Sequence, residues 1–154
     1  MMAIFNKLIF VLFILVPFSC NNSQEQSKAA FSAHDIKKIK EQADLAYDKD
    51  DIANSIILFN KLIEFDSTKG EYYFKRGNSY MMTLDIKKSE KDFLKSIQLG
   101  YRISSSYYNI GLNYAGINDI TAVYYFKKSL EKDSTNEKAK IKLEQSQNRL
   151  KRDK

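Results

Sequence analysis

The residues best suited to chemistry are few, because the 154-residue chain has one Cys, Cys20, and one His, His34. A single Cys excludes an internal disulfide and a multi-cysteine metal site. A single His excludes zinc sites that use two histidines, and no Gly-rich phosphate loop or Gly-x-Ser-x-Gly elbow is present. His34 stands beside Asp35 at a predicted helix start, where we interpret it as a solvated residue. We therefore expect no enzyme activity, no cofactor and no small-molecule substrate.

A cluster of carboxylates at Asp48, Asp50 and Asp51 is the remaining candidate for a metal site. A calcium loop needs oxygen ligands at alternating positions followed by a later Glu, and the apolar pair at 52–53 interrupts that series. Aspartates also cap helices and form turns. We interpret the cluster as a turn and predict no metal site.

The charge balance is uneven along the chain, whose formal net charge is +6. Residues 137–154 hold seven Lys or Arg and three acids, whereas residues 20–136 hold 17 basic and 16 acidic residues. The basic excess therefore belongs to one terminal segment. We predict no nucleic-acid partner, and interpret the segment as a solvated cap or as a surface that rests on anionic lipid headgroups.

The N-terminus has the pattern of an export signal. Lys7 is followed by nine apolar residues, 8–16, and then by Pro17, Phe18, Ser19 and Cys20. Nine residues are too few to span a bilayer as a helix. The segment resembles a bacterial lipoprotein signal, although Pro17 stands where an aliphatic residue is usual. The resemblance implies cleavage after residue 19, lipid on Cys20 and a polar tether over 20–35. The alternative is an ordinary signal peptide with a chance or buried Cys.

The rest of the sequence repeats with a period of 34 residues. Phe59, Phe93 and Phe126 lie 34 and 33 residues apart, and Gly77 and Gly111 lie 34 apart. Each unit divides into two helices with a short polar turn. The predicted helix pairs are 36–48 with 52–65, 71–83 with 86–99, and 104–115 with 120–132.

These units, 36–69, 70–103 and 104–136, resemble the tetratricopeptide repeat. That family alternates large and small residues at fixed positions, so that an aromatic ring packs closely on a small neighbour. Unit two supplies Tyr73, Gly77, Tyr80, Ser89, Phe93 and Ser96 at those positions; unit three supplies Tyr107, Gly111, Tyr114, Ala122, Phe126 and Ser129; unit one supplies Ile39, Ala43, Ala46, Ser55, Phe59 and Leu62. The resemblance implies an all-α fold, an α-solenoid of three helix-turn-helix units. Residues 137–154 then form a basic capping helix.

In this family the first helices of successive units line a concave groove. The resemblance assigns the groove positions to Lys40, Asp44, Tyr47, Phe74, Asn78, Met81, Tyr108 and Leu112. We expect Asn78 to pair with a partner's backbone and Met81 to adapt to different side chains. The alternative is that the aromatic and Met side chains pack against neighbouring helices. The family's pattern for gripping a terminal carboxylate is not matched, since Asp44 and Phe74 stand at positions that require other residues.

The sequence thus predicts a module that binds a protein or peptide, exported and held by lipid on Cys20 at a bacterial membrane, in the periplasm or at the cell surface. Two alternatives are a structural element that assembles end to end and an envelope component that binds cell-wall glycan through tyrosine rings. A fold of this kind does not select the partner.

Overall fold

A computed structural model describes residues 33–152, which form seven α-helices and contain no strand. The helices, labelled α1 to α7 in chain order, are Ala33–Asp48, Ile52–Phe65, Gly70–Met82, Ile86–Gln98, Ile103–Tyr114, Asp119–Lys132 and Glu137–Arg152. Their ends lie within three residues of the predicted ones, and the all-α architecture of three helix pairs plus a terminal helix is confirmed. The predicted signal, Cys20 and most of the tether lie outside the described residues.

Each helix pair turns in the same way because similar residues cap the second helix. The side chains of Asp51, Asp85 and Asn118 accept hydrogen bonds from the backbone N–H three residues later, at 3.4, 3.2 and 3.1 Å. These bonds satisfy donors that a helix start otherwise leaves unpaired. The residues before the caps include one with positive φ in every unit: Asp50, Leu84 and Gly116.

The connections out of units one and three are also alike. The Asp66 carboxylate accepts bonds from the N–H and hydroxyl of Thr68, at 2.9 and 2.6 Å. The Asp133 carboxylate does the same with Thr135, at 3.0 and 2.6 Å. Such Asx turns fix the chain direction locally. The repeated Asp-Ser-Thr sequence therefore has a repeated structural role.

The core is a series of aromatic side chains packed on small residues. Phe59, Phe93 and Phe126 are fully buried. A Cβ placed on Gly77 would lie 3.1 Å from the Phe93 ring, and one on Gly111 would lie 2.5 Å from the Phe126 ring. Glycine at position 111 therefore permits a close approach of helices that a Cβ would prevent, whereas a Cβ at position 77 would need only a small shift of the ring.

The terminal helix α7 packs on α6, with Ala139 and Ser146 buried. The Arg149 guanidinium donates two bonds of 2.7 Å to the Asp119 carboxylate at the start of α6. A bidentate pair of this kind fixes orientation as well as adding electrostatic attraction. The C-terminal segment thus covers the last repeat, as an α-solenoid requires.

Among the described residues, none of the helices has both the length and the apolar character that a bilayer crossing demands.

Candidate binding site

The first helices of the three units, α1, α3 and α5, lie side by side and form what we call the first-helix face. Side chains 31 residues apart connect them: Asn78 Nδ2 donates to the Tyr47 hydroxyl at 3.0 Å, and Asn109 Nδ2 donates to Asn78 Oδ1 at 2.8 Å. This spacing is one repeat of 34 residues minus about one helical turn. Each side chain therefore meets a residue about one turn nearer the start of the next first helix. These bonds hold the three helices in a fixed relation.

Asn78 therefore has a different setting from the expected one. Its side chain is hydrogen-bonded through both the nitrogen and the oxygen, and the residue is only 8% exposed. A buried amide with satisfied groups gains little by exchanging them for a ligand. The structure thus gives Asn78 a place in the connection between helices, and its predicted bond to a partner's backbone stays a prediction.

Charged residues at one end of the face neutralise one another. Lys40 Nζ lies 2.8 Å from the Asp44 carboxylate and 3.4 Å from that of Glu71. Lys75 Nζ lies 2.7 Å from Asp44 and 3.2 Å from Glu71. We call these four residues the charge quartet. Two cations and two carboxylates leave it with no net charge, and every member is partly buried.

The quartet also shifts the ionisation of its members. Burial raises the pKa of the Asp44 carboxyl, but hydrogen bonds from Lys40 and Lys75 outweigh it and hold that pKa below its ordinary value. The hydrogen bond to Asp44 raises the pKa of Lys40. Each charge is therefore stabilised by its neighbours and is less available to an outside ion.

The predicted aromatic residues of the face pack partly into the fold. The Phe74 ring lies 5.7 Å from that of Phe93 and 5.8 Å from that of Tyr101, and Tyr108 lies 5.8 Å from Phe126. Both residues are half-buried. The two rings thus pack on the core as the alternative expected, and the part of each ring that stays exposed is held in place.

Apolar surface on the face comes chiefly from α3 and α5. Met81 and Leu112 are half-buried, and Met82, the last residue of α3, is 50% exposed. Thioether and aliphatic side chains can adapt to an apolar segment. The predicted site residues that the structure connects directly are Lys40, Asp44, Tyr47 and Asn78.

The other candidates for chemistry have ordinary settings. His34 is exposed in the first turn of α1. Asp51 of the acidic cluster caps α2, and its carboxylate also accepts a 2.6 Å bond from the Asn54 amide. Between residues 33 and 152, no three His, Cys, Asp or Glu side chains are grouped where they could hold a metal ion.

Two residues of the face were not singled out from the sequence: Lys75 and Asn109. Both lie 31 residues after a predicted site residue, Asp44 and Asn78 respectively. A search at the 34-residue period does not align these pairs, since partners on adjacent helices are offset by about one turn. Polar residues at a spacing of 31 are the signal that identifies them.

The helical arrangement of this chain is similar to that of several solved structures. No protein-family model matches the chain, and no curated protein is similar to it in sequence. The first TPR domain of Spaghetti (RPAP3), bound to the HSP90 peptide SRMEEVD, superposes with a TM-score of 0.69 at 16% identity, covering 77% of this chain and 95% of that one. This chain has the tetratricopeptide-repeat (TPR) fold. Other TPR structures agree with it.

The second TPR domain of human RPAP3, in complex with the HSP70 peptide SGPTIEEVD, has a TM-score of 0.65 at 17% identity and covers 71% of this chain and 92% of that one. The N-terminal domain of stress-induced protein-1 from C. elegans has a TM-score of 0.63 at 18% identity and covers 82% and 99%. At these identities the likeness concerns the TPR fold alone.

Proposed function

We propose that this TPR protein binds a segment of a partner protein on its first-helix face, and does so at a membrane to which Cys20 anchors it. The observation that carries the proposal is the side-chain connection Tyr47–Asn78–Asn109, which fixes the three first helices before any partner arrives. A preformed surface loses little conformational entropy on binding. The protein then acts by binding, without making or breaking bonds.

The charge quartet indicates what kind of segment this face accepts. Two of the similar TPR structures hold acidic peptides, SRMEEVD and SGPTIEEVD. In this chain Lys40 and Lys75 already pair with Asp44 and Glu71, so an acidic peptide would have to displace internal carboxylates. Outside the quartet, the face has the exposed Met82 and the half-buried Tyr108. We infer that the segment is uncharged and is held by apolar side chains against Met82 and Tyr108.

Export and anchoring rest on the sequence of the first twenty residues. The apolar segment 8–16 is followed directly by Ser19 and the only Cys of the chain. A single acyl chain gives reversible membrane binding, and further acylation makes it stable. The polar residues after Cys20 would leave the TPR domain free to meet partners near the bilayer surface.

Site-specific photocrosslinking tests the binding face. A photoreactive phenylalanine replaces Met82 in one protein and Ile57 in the other; both residues are 50% exposed, and Ile57 lies on α2. In the cells that make the protein, we expect one defined partner to crosslink at position 82 and not at 57. Equal crosslinking at both positions would show that the partner does not bind selectively to the first-helix face. Crosslinks to a second copy of the chain would favour the self-assembling alternative.

Metabolic labelling tests the anchor. Cells expressing the full chain are grown on labelled palmitate, and the wild type is compared with Cys20→Ala. We expect label on the wild type and none on the variant, with the wild type in the membrane fraction. Absence of label on the wild type, or equal label on both, would contradict lipid attachment at Cys20.

A further inference from the structure

A second concave surface lies away from the first-helix face, between the second helices of units one and two. Its volume is about 650 Å³, and residues of α2, α3 and α4 line it. Ile63, Tyr73 and Leu94 provide apolar wall, and Leu94 is 43% exposed. We call it the α4 cavity. None of the predicted site residues belongs to it.

Three lysines of α4 border this cavity at intervals of four residues: Lys87, Lys91 and Lys95. Residues four apart lie on the same side of a helix and are separated by about 6 Å along its axis. Within the described part of the chain, Lys87 and Lys91 have no carboxylate partner, and Lys95 donates only to the Gln98 side chain at 3.0 Å. Like charges at this spacing destabilise a helix unless something offsets them.

The two carboxylates at the cavity do not offset them, because both are engaged elsewhere. Asp92 receives two 2.7 Å bonds from the Arg76 guanidinium. Glu90 accepts bonds from the hydroxyls of Tyr114 and Tyr125, at 2.6 and 2.8 Å. Of the described residues, four cations and two carboxylates border the cavity, which gives them a combined charge of +2.

We propose that the α4 cavity binds an extended acidic segment of a partner protein. Carboxylates at alternate positions of an extended chain lie about 7 Å apart, which matches the lysine spacing of about 6 Å. Alternate side chains of an extended chain point to opposite sides, so the carboxylates that face the lysines alternate with residues that face away from α4. The cavity is open to solvent, so an extended chain can lie along it. This site lies apart from the first-helix face and differs from it in charge, because the cavity is positive whereas the charge quartet is neutral.

The test measures binding of a fluorescein-labelled peptide in which Glu and Leu alternate, by fluorescence anisotropy at two salt concentrations. The full chain in a neutral detergent is compared with the triple variant Lys87→Gln, Lys91→Gln, Lys95→Gln. We expect the variant to bind about tenfold more weakly, and the wild type to bind less tightly at higher salt. The substituted side chains lie at the surface, so the helical melting curve should stay close to that of the wild type.

A matched variant controls for overall charge: Lys127→Gln, Lys132→Gln, Lys138→Gln removes three exposed lysines from α6 and α7. Binding by this control within about twofold of the wild type supports the site, since the two variants have the same net charge. Equal loss in both variants, or equal binding of a peptide with all Glu residues in one block, would overturn it. Lysine-dependent binding to phosphatidylglycerol vesicles without binding of the peptide would assign the lysines to lipid instead.

Discussion

Units two and three of the TPR domain place different chemistry at equivalent positions. Unit two has Arg76 on its first helix and Asp92 on its second, joined by two 2.7 Å bonds. Unit three has Ile110 and Tyr125 at those positions; Ile110 is fully buried and the Tyr125 hydroxyl donates to Glu90. The contact between the two helices is thus stabilised by an ion pair in unit two and by apolar and aromatic packing in unit three.

The difference shows that the repeat fixes where helices lie without fixing how their contact is stabilised. In unit three the aromatic packing includes further rings. Tyr107 and Tyr114 each stack on Tyr125, and each of their ring centroids lies 6.3 Å from that of Tyr125. In unit two the ion pair borders the α4 cavity. Two units with similar backbones therefore have different outer surfaces, which is how one scaffold presents different binding sites.

The largest expected effect comes from breaking the ion pair of unit two. Asp92→Ala leaves the mostly buried Arg76 guanidinium without its carboxylate, and an uncompensated charge in such a position costs about 3 kcal/mol or more of unfolding free energy. Urea denaturation followed by circular dichroism measures the loss.

A double variant that copies unit three, Arg76→Ile with Asp92→Tyr, sharpens this comparison. Replacing both partners by apolar residues removes the unpaired charge, so the double variant should recover more than half of the stability lost in Asp92→Ala. A double variant as unstable as the single one would mean that unit two cannot accept the packing of unit three.

The second prediction concerns the glycines that face the core phenylalanines. In Gly111→Ala the new methyl group would lie 2.5 Å from the fully buried Phe126 ring, and in Gly77→Ala it would lie 3.1 Å from Phe93. Overpacking costs about 1–3 kcal/mol, and the gain in helix propensity, about 1 kcal/mol, offsets part of it. We expect a loss of about 1–2 kcal/mol for Gly111→Ala and little change for Gly77→Ala in the same urea assay. Equal losses would contradict the tighter packing in unit three.

The tyrosines around Glu90 give the third prediction, a response to high pH. The hydrogen bond to Glu90 raises the pKa of Tyr114 to about 12, and burial together with the same carboxylate raises the pKa of Tyr125. A raised pKa contributes stability that is complete below the ordinary value of 10.0 and is lost as the pH rises through the folded value. We expect unit three to loosen as the pH rises from 10 towards 12.

Lys40 and Lys75 also titrate at high pH, so tyrosine must be observed directly. Burial also raises the pKa of Tyr72 and Tyr108, so the test is a difference: the ultraviolet absorbance of tyrosinate should show one late-titrating group fewer in Tyr125→Phe than in the wild type. That variant should also lose about 1.5 kcal/mol at neutral pH, typical of a hydrogen bond to a charged group. A tyrosinate titration curve of Tyr125→Phe that matches the wild type would contradict the hydrogen bond between Tyr125 and Glu90.

The smallest effect is expected at the turns within the units. Leu84 has φ of +59°, where unit three uses Gly116 at +83°. A non-glycine residue in the left-handed region costs about 1–2 kcal/mol, and glycine adds a smaller entropic cost. Leu84→Gly should therefore stabilise the protein by about 0.5–1 kcal/mol, as a rise in melting temperature. Leu84 is 82% exposed, so its side chain should contribute little packing. A fall in melting temperature would contradict this prediction.

Much of the TPR fold could be predicted from local patterns. The caps at Asp51 and Asp85 and the period of the core phenylalanines follow from interactions between residues close in sequence or at one fixed spacing. The binding face was predicted less completely. Lys75 and Asn109 were missed because their partners lie 31 residues away on a neighbouring helix, which the repeat alone does not align.

The sequence by itself determined the helix pairs and their order, because these depend on periodicity, capping residues and composition. Only the tertiary structure decided which charges are paired. It encloses Lys40 and Lys75 between carboxylates and, as far as residues 33–152 are concerned, leaves Lys87 and Lys91 without them, although all four are lysines on repeat helices. The physical reason is that an ion pair requires two side chains within about 4 Å, and helix packing brings such distant residues together.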